Sequence, residues 1–411
     1  MLRRIYADNF KCLVNFEWKP GPAHINLMLG PNGSGKTTVI DCLDRVRAFA
    51  TGDGKLDDLF PASTLTQWQD VPTQTFEIEW ERGESCFHYE IAIEHNKNRT
   101  HREVKHERAS FDSKPLLRFE AGEVHLYAQT VPGEVTSYPF DSTQSAVASL
   151  PDMWNTTMLT WFKAALRRTK VLQIIPPMME ETSFEESRRP LRFFQNFVSW
   201  YRWISQDQGM AFRLQKELTE VLPGFSHFKL EPYGPEAKLL KTFFEAKAGK
   251  LVEMTFGALS DGQRMLIALY SLLHGLAAQP EEIYSNELPS ELLCLDEPDN
   301  FIASREIQPW LAAIEDRLIE TKARLLLISH HPESIDYALI PSSGESFSAF
   351  WFSREAGGHT RVQPLVADQP GGLKPSELAA RGWLGLTGQV PEKQTPAKKV
   401  PRRKLTRLKP G

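Results

Sequence analysis

Gly30-Pro-Asn-Gly-Ser-Gly35-Lys36-Thr37 is the first stretch whose residue types and spacing can do chemistry. It fits G-x-x-x-x-G-K-[ST], in which glycines let successive backbone N–H groups curl around a triphosphate. The start of the following helix adds partial positive charge. In that pattern Lys36 reaches the β- and γ-phosphates and the Thr37 hydroxyl faces Mg2+. A second candidate is Glu291-Leu-Leu-Cys-Leu-Asp296-Glu297-Pro298, an apolar run ending in adjacent carboxylates. One acid at a buried strand end can hold the hydration shell of Mg2+, and its neighbour can orient or deprotonate an attacking water. Pro298 disfavours helical geometry at Glu297, which keeps that carboxylate at the strand terminus. Third, Ser260 and Gln263 are spaced as a capping box ahead of an apolar helix. Gly262 in that first turn costs about 1 kcal/mol relative to alanine and needs another reason; a bare helix N-terminus can bind an anion. Last, His330 and His331 follow the apolar run Leu325–Ile328. Adjacent side chains diverge in extended chain, so the pair is a poor metal chelate, and its position after a strand favours His330.

The elements that must position these residues alternate in type. Leu2–Phe10 and Leu13–Trp18 read as strands, and His24–Leu29 as a compact apolar strand ending in glycine. Ile40, Leu43, Val46 and Phe49 give residues 38–50 a helical period. Residues 75–95 read as a hairpin around Arg82-Gly83-Glu84. From about 153 to 222 the pattern turns helical and aromatic, which is core composition rather than a ligand box. A helix from Ser260, a strand at Leu292–Leu295, a helix around Glu306–Leu318 and the strand ending at Ile328 complete the chain. Strand–helix alternation at both ends predicts an α/β fold with a mainly parallel sheet.

Taken in order, Gly30–Thr37, Leu259–Arg264, Leu295–Pro298 and Leu327–His330 resemble the ABC-type ATPases. Asn9-Phe10-Lys11 and the phosphate loop resemble the branch that holds RecF, SMC and OLD-like proteins. The resemblance implies an ABC-ATPase P-loop fold with a mixed sheet, an antiparallel β subdomain and an α-helical insert. Its boundaries are an N-terminal lobe at 1–150, the insert at 151–250, a C-terminal lobe at 251–370 and an extension with a basic tail at 371–411. It implies ATP and Mg2+ as cofactors, with nucleotide contacts from Lys11, Asn32, Gly33, Ser34, Gly35, Lys36, Thr37 and Thr38. Thr37 and Asp296 become the metal residues, Glu297 the catalytic base and His330 the γ-phosphate sensor. Ser260, Gly262 and Gln263 are assigned to the nucleotide on an opposing protomer, in an ATP sandwich of two copies. Two features depart from the family pattern: Asp261 replaces a second glycine, and the segment Asp299–Arg305 lacks the aspartate expected a few residues after Pro298 in the loop that crosses the dimer. The glutamine that completes magnesium coordination is open among Gln67, Gln69, Gln74, Gln129 and Gln144.

The spacing from Lys36 to Ser260, 224 positions, is too long for a transporter cassette, and the aromatic insert lacks the heptads of an SMC arm. No apolar run is long enough to span a membrane, and the four cysteines form neither a C-x-x-C pair nor a zinc spacing. These features predict a cytoplasmic globular protein. Net charge is −4 overall but +7 over residues 391–411, leaving −11 for the body. Four prolines and few apolar side chains predict a disordered tail able to bind nucleic acid or an acidic partner. The functional expectation is an ATPase subunit controlling a separately encoded effector, such as a nuclease, in antiphage defence or DNA surveillance. A RecF- or SMC-like DNA-binding repair ATPase is the alternative.

Overall fold

The computed structural model describes residues 1–128, 135–152, 157–276, 289–339, 346–365, 373–382 and 384. Three sheets organise them. The central one has six strands in the order Thr169–Leu172, Leu292–Asp296, Arg324–Ile328, Ile25–Leu29, Phe347–Ser353, Arg361–Leu365. The first five run parallel and the last is antiparallel. The chain is therefore α/β, with a mixed sheet as its spine.

Its inner strands Ile25–Leu29, Leu292–Asp296 and Arg324–Ile328 are mostly apolar because both faces are covered. Met28, Cys294, Leu326 and Ile328 enter one buried cluster, shared with the phosphate-loop helix Lys36–Thr51 and the antiparallel sheet. Ile25, Leu27, Leu293, Leu295, Leu325 and Leu327 enter the other, with the helices Asp261–Gly275 and Ser304–Thr321. Register aligns Asp296 with Ile328 and Ile328 with Met28. The carboxyl ends of the strands therefore stand side by side, and the loops that leave them share one edge. Ligands in open α/β sheets bind at that edge.

The second sheet is wholly antiparallel and holds eight strands, from Phe16–Trp18 and Leu2–Asp8 through the long hairpin Thr73–Arg82 and Ser85–His95 to Val135–Pro139. The expected strand at Leu13–Trp18 is shorter, Phe16–Trp18. Phe10 and Leu13 bridge each other instead, and Asn9 and Lys11 turn through positive φ.

Residues 151–250 differ from the helical insert expected there. They hold the helices Thr157–Arg167, Phe197–Ile204 and Gln208–Val221, but also the edge strand Thr169–Leu172 and the hairpin Phe225–Tyr233 with Ala237–Glu245. The edge strand was hidden by its polar residues. Lys170 is buried against Glu291, itself buried, so charge enters the core only as a pair. The aromatic residues do form core: Phe162, Phe194, Phe197 and Trp200 are buried. The basic tail lies outside the described residues. Among the described residues the four cysteines are free and no helix is long and apolar enough to cross a membrane.

Candidate nucleotide-binding site

The phosphate loop leaves the Ile25–Leu29 strand and enters the helix Lys36–Thr51 at Gly35. Gly30 and Gly35 take φ of +143° and +103°. A Cβ at Gly30 would sit 2.0 Å from the Phe352 carbonyl, and one at Gly35 would sit 2.2 Å from the Thr360 hydroxyl. Both positions require glycine. Lys36 Nζ donates to the carbonyls of Gly30 (2.8 Å) and Pro31 (3.1 Å). Burial pulls its pKa down, while the Glu297 and Asp296 charges act upward.

A cleft of about 570 Å³ opens over this loop. Lys11, Asn32, Gly33, Gly35, Lys36, Thr37 and Thr38, the residues assigned to the nucleotide, line it together with Glu297 and His330. Ser34 does not line it: it is buried beneath the loop, with Oγ 3.5 Å from Lys36 Nζ. Lys11 reaches the cleft but also pairs with Asp41 at 2.7 Å. Asp41 is buried and gathers Arg45 and Arg192 as well, each at 3.0 Å. Burial opposes its charge, but the Lys11 hydrogen bond and the Arg45 charge hold its pKa below the ordinary carboxylate value. Arg192 comes from the segment read as a motif-free insert, and its charge also acts on Asp296.

Asp296 ends its strand 6 % exposed. Burial raises its pKa, and the Thr37 hydroxyl bond works the other way. A threonine hydroxyl beside a carboxylate is a hard oxygen pair that suits Mg2+, which takes few protein ligands and completes its sphere with water and phosphate. Among the described residues, no group of three or more His, Cys, Asp and Glu could hold a metal by itself.

Glu297 stands in the left-handed region at φ +49°. A non-glycine residue there carries strain that such sites retain when geometry matters. Its N–H donates to the Ile328 carbonyl at 2.9 Å. One carboxylate oxygen accepts from Asn300 Nδ2 at 2.8 Å, and the other stands 3.7 Å from His330 Nε2. Burial and the Lys36 charge lower the His330 pKa, while the Glu297 and Asp299 charges act upward.

Asn300 and its neighbour were missed in the sequence, where residues 299–305 registered only for a lacking aspartate. Asp299 is buried and accepts from the hydroxyls of Ser329 and Ser334. Ser329 Oγ accepts in turn from the His331 N–H at 3.1 Å. The loop after Glu297 is thereby fastened to the strand end that carries His330. A short polar side chain three residues past a catalytic-type acid was the only available signal.

Ser260 and Gln263 do not line this cleft. They form the expected capping box: Gln263 N donates to Ser260 Oγ at 3.3 Å and Ser260 N to Gln263 Oε1 at 3.0 Å. Gly262 has an intramolecular reason, since a Cβ there would lie 3.0 Å from the Phe301 carbonyl. Of the five glutamines, Gln67 lines the cleft. Gln74 is buried and bonded to Asn9 and His95, Gln144 lines a separate cavity, Gln69 stands off the cleft, and Gln129 lies outside the described residues.

A family model described as "AAA domain" matches residues 4–137, and a second, described as "AAA domain, putative AbiEii toxin, Type IV TA system", matches residues 171–336. The chain belongs to the AAA-domain proteins. The first match carries the phosphate loop of this AAA-domain chain, and the second carries Ser260, Asp296, Glu297 and His330 in ABC-type order. No curated protein matches it. Among solved structures it is similar to an SMC head bound to the C-winged helix domain of ScpA, at 12% identity over 89% of this chain and 98% of that one (TM-score 0.48). The SMC head domain from Thermotoga maritima matches at 15% identity over the same shares (TM-score 0.41). A Pyrococcus furiosus Smc head with an extended coiled coil, bound to the C-terminal domain of ScpA, matches at 11% over 89% and 96% (TM-score 0.47).

Proposed function

We propose that the chain binds ATP with Mg2+ and hydrolyses it to ADP and phosphate. The observation that carries this reading is a strained, oriented carboxylate, Glu297, in one cleft with a complete phosphate loop. When bound, Mg2+ would neutralise part of the triphosphate charge, with Thr37 and Asp296 as the residues that would hold it. The backbone of residues 33–37 and the Lys36 ammonium hold the phosphates, while Thr37 and Asp296 face the metal. Glu297 accepts a proton from the attacking water as its oxygen bonds to the γ-phosphorus and the bond to the ADP oxygen breaks. Asn300 fixes the direction of that carboxylate. His330 donates a hydrogen bond to the γ-phosphate, which a neighbouring carboxylate alone would repel.

The site is completed by a second copy. Ser260 is exposed at a helix N-terminus, outside the cleft of its own chain, which supports its assignment to the nucleotide of an opposing protomer. Mixing Lys36→Ala with Ser260→Arg protomers tests this, since one intact composite site can then form per mixed dimer. Recovered hydrolysis supports sharing; none across all ratios, with mixed dimers shown to form, contradicts it. Acting in the cytoplasm, the ATP-bound dimer controls a separately encoded effector in a bacterial defence or surveillance system. The toxin–antitoxin description attached to the 171–336 match favours that setting. The +7 tail favours DNA as the alternative partner.

A further inference from the structure

Trp68 and Arg354 also line the nucleotide cleft, and the phosphate chemistry above uses neither. Trp68 leaves 42 % of its surface exposed, so part of its ring face is open to a ligand in the cleft. The Arg354 guanidinium carbon stands 5.0 Å from the centre of the Trp68 rings, a cation–π pair.

Both side chains are presented by held backbone. Asn9, buried at φ +59°, donates to the carbonyls of Val71 (2.8 Å) and Thr73 (3.0 Å) and accepts from the Thr66 N–H (3.2 Å). Lys11 N–H adds a bond to the Thr64 carbonyl at 2.7 Å. The Asn9-Phe10-Lys11 stretch thus brackets the loop that carries Trp68. On the other side, Arg354 Nε donates to the Gly358 carbonyl at 2.8 Å, and Thr360 N–H donates to the Cys12 carbonyl at 3.0 Å. Thr360 also backs Gly35, so Arg354 leaves a turn fastened to the phosphate loop itself.

We propose that Trp68, backed by Arg354, is the platform on which the base of the bound nucleotide stacks, and that the site accepts purine nucleoside triphosphates by ring face rather than by edge. This rests on the reading of Gly30–Thr37 as the phosphate site. Stacking on an aromatic face uses the π-surface every base has and is insensitive to its hydrogen-bonding groups. Ring size then sets affinity: ATP and GTP bind alike, and CTP binds more weakly.

The test is calorimetric titration of the full chain with ATP, GTP, CTP and inorganic tripolyphosphate, the last probing the phosphate loop alone. ATP and GTP are expected within about threefold of each other, and tripolyphosphate about tenfold weaker, the scale of one stacked base. Trp68→Ala brings ATP and GTP down to the tripolyphosphate level and leaves tripolyphosphate unchanged, whereas Trp68→Phe keeps most of the affinity. Trp68→Ala that binds ATP as tightly as wild type, or that loses tripolyphosphate equally, overturns the platform, as does CTP binding as tightly as ATP. Wild-type protein that binds neither tripolyphosphate nor ATP overturns the phosphate-loop reading and the platform with it.

Discussion

Replacing Asn300 with alanine removes the 2.8 Å hydrogen bond that orients Glu297 and leaves the lining of the cleft intact. A hydrogen bond to a charged group contributes about 1.5–3 kcal/mol. The Glu297 side chain is 37 % exposed, so water recovers part of this and about 1–2 kcal/mol is a fair measure of lost orientation. Placed on the transition state, that is about a 5–30-fold fall in kcat, with nucleotide affinity unchanged. Asn300→Asp goes further, because it sets a second carboxylate against the first. Phosphate release measured across pH, beside equilibrium nucleotide binding, separates these effects. A kcat within twofold of wild type in both variants would show that Glu297 is not oriented by Asn300. A loss confined to KM would place Asn300 in binding instead.

The contact between Gly262 and the Phe301 carbonyl predicts that Gly262→Ala pushes on the Glu297–Ile302 loop. Alanine is the better helix former, so thermal stability stays near wild type while hydrolysis falls; equal hydrolysis would exclude that mechanical link. Burial, with the Arg102 and Arg99 charges, holds the His95 imidazole at about 4 rather than 6.5, bonded to Gln74. Between those values the unfolded chain binds a proton that the folded chain refuses, so stability falls as pH drops, by about 1.4 kcal/mol per pH unit. Urea unfolding at pH 7, 6 and 5 should show this slope in wild type and its reduction in His95→Gln. Deleting residues 391–411 should weaken nucleic-acid binding most at low salt, since counterion release scales with the phosphates neutralised. Hydrolysis without DNA should be unaffected, and filter binding from about 50 to 200 mM salt measures the difference.

The phosphate loop, Asp296, Glu297 and His330 were legible in the sequence because each follows a short apolar strand, and parallel register sets those strand ends side by side. Local pattern could not reveal what depended on pairing across the chain. The strand Thr169–Leu172 reads as polar until Lys170 meets Glu291, which is 121 positions away. Arg192 sits in an aromatic stretch with no motif, yet it shares Asp41 with Lys11 from the first turn of the chain. The same-chain reason for Gly262, the nearby Phe301 carbonyl, was likewise invisible in the local pattern. Asn300 carried no periodic or motif signal. Its meaning comes from the positive φ at Glu297, which turns the carboxylate back toward it.

Single-turnover hydrolysis by Glu297→Gln, measured beside its nucleotide affinity, tests the proposed chemistry most directly. Glutamine keeps the shape and the contact with Asn300 but cannot accept the proton of the attacking water. General-base catalysis contributes about 10²–10⁴-fold, so the rate should fall by at least about a hundredfold while ATP binding persists through Lys36 and the phosphate loop. Hydrolysis by Glu297→Gln at the wild-type rate, with binding intact, would contradict the assignment of Glu297 as the base.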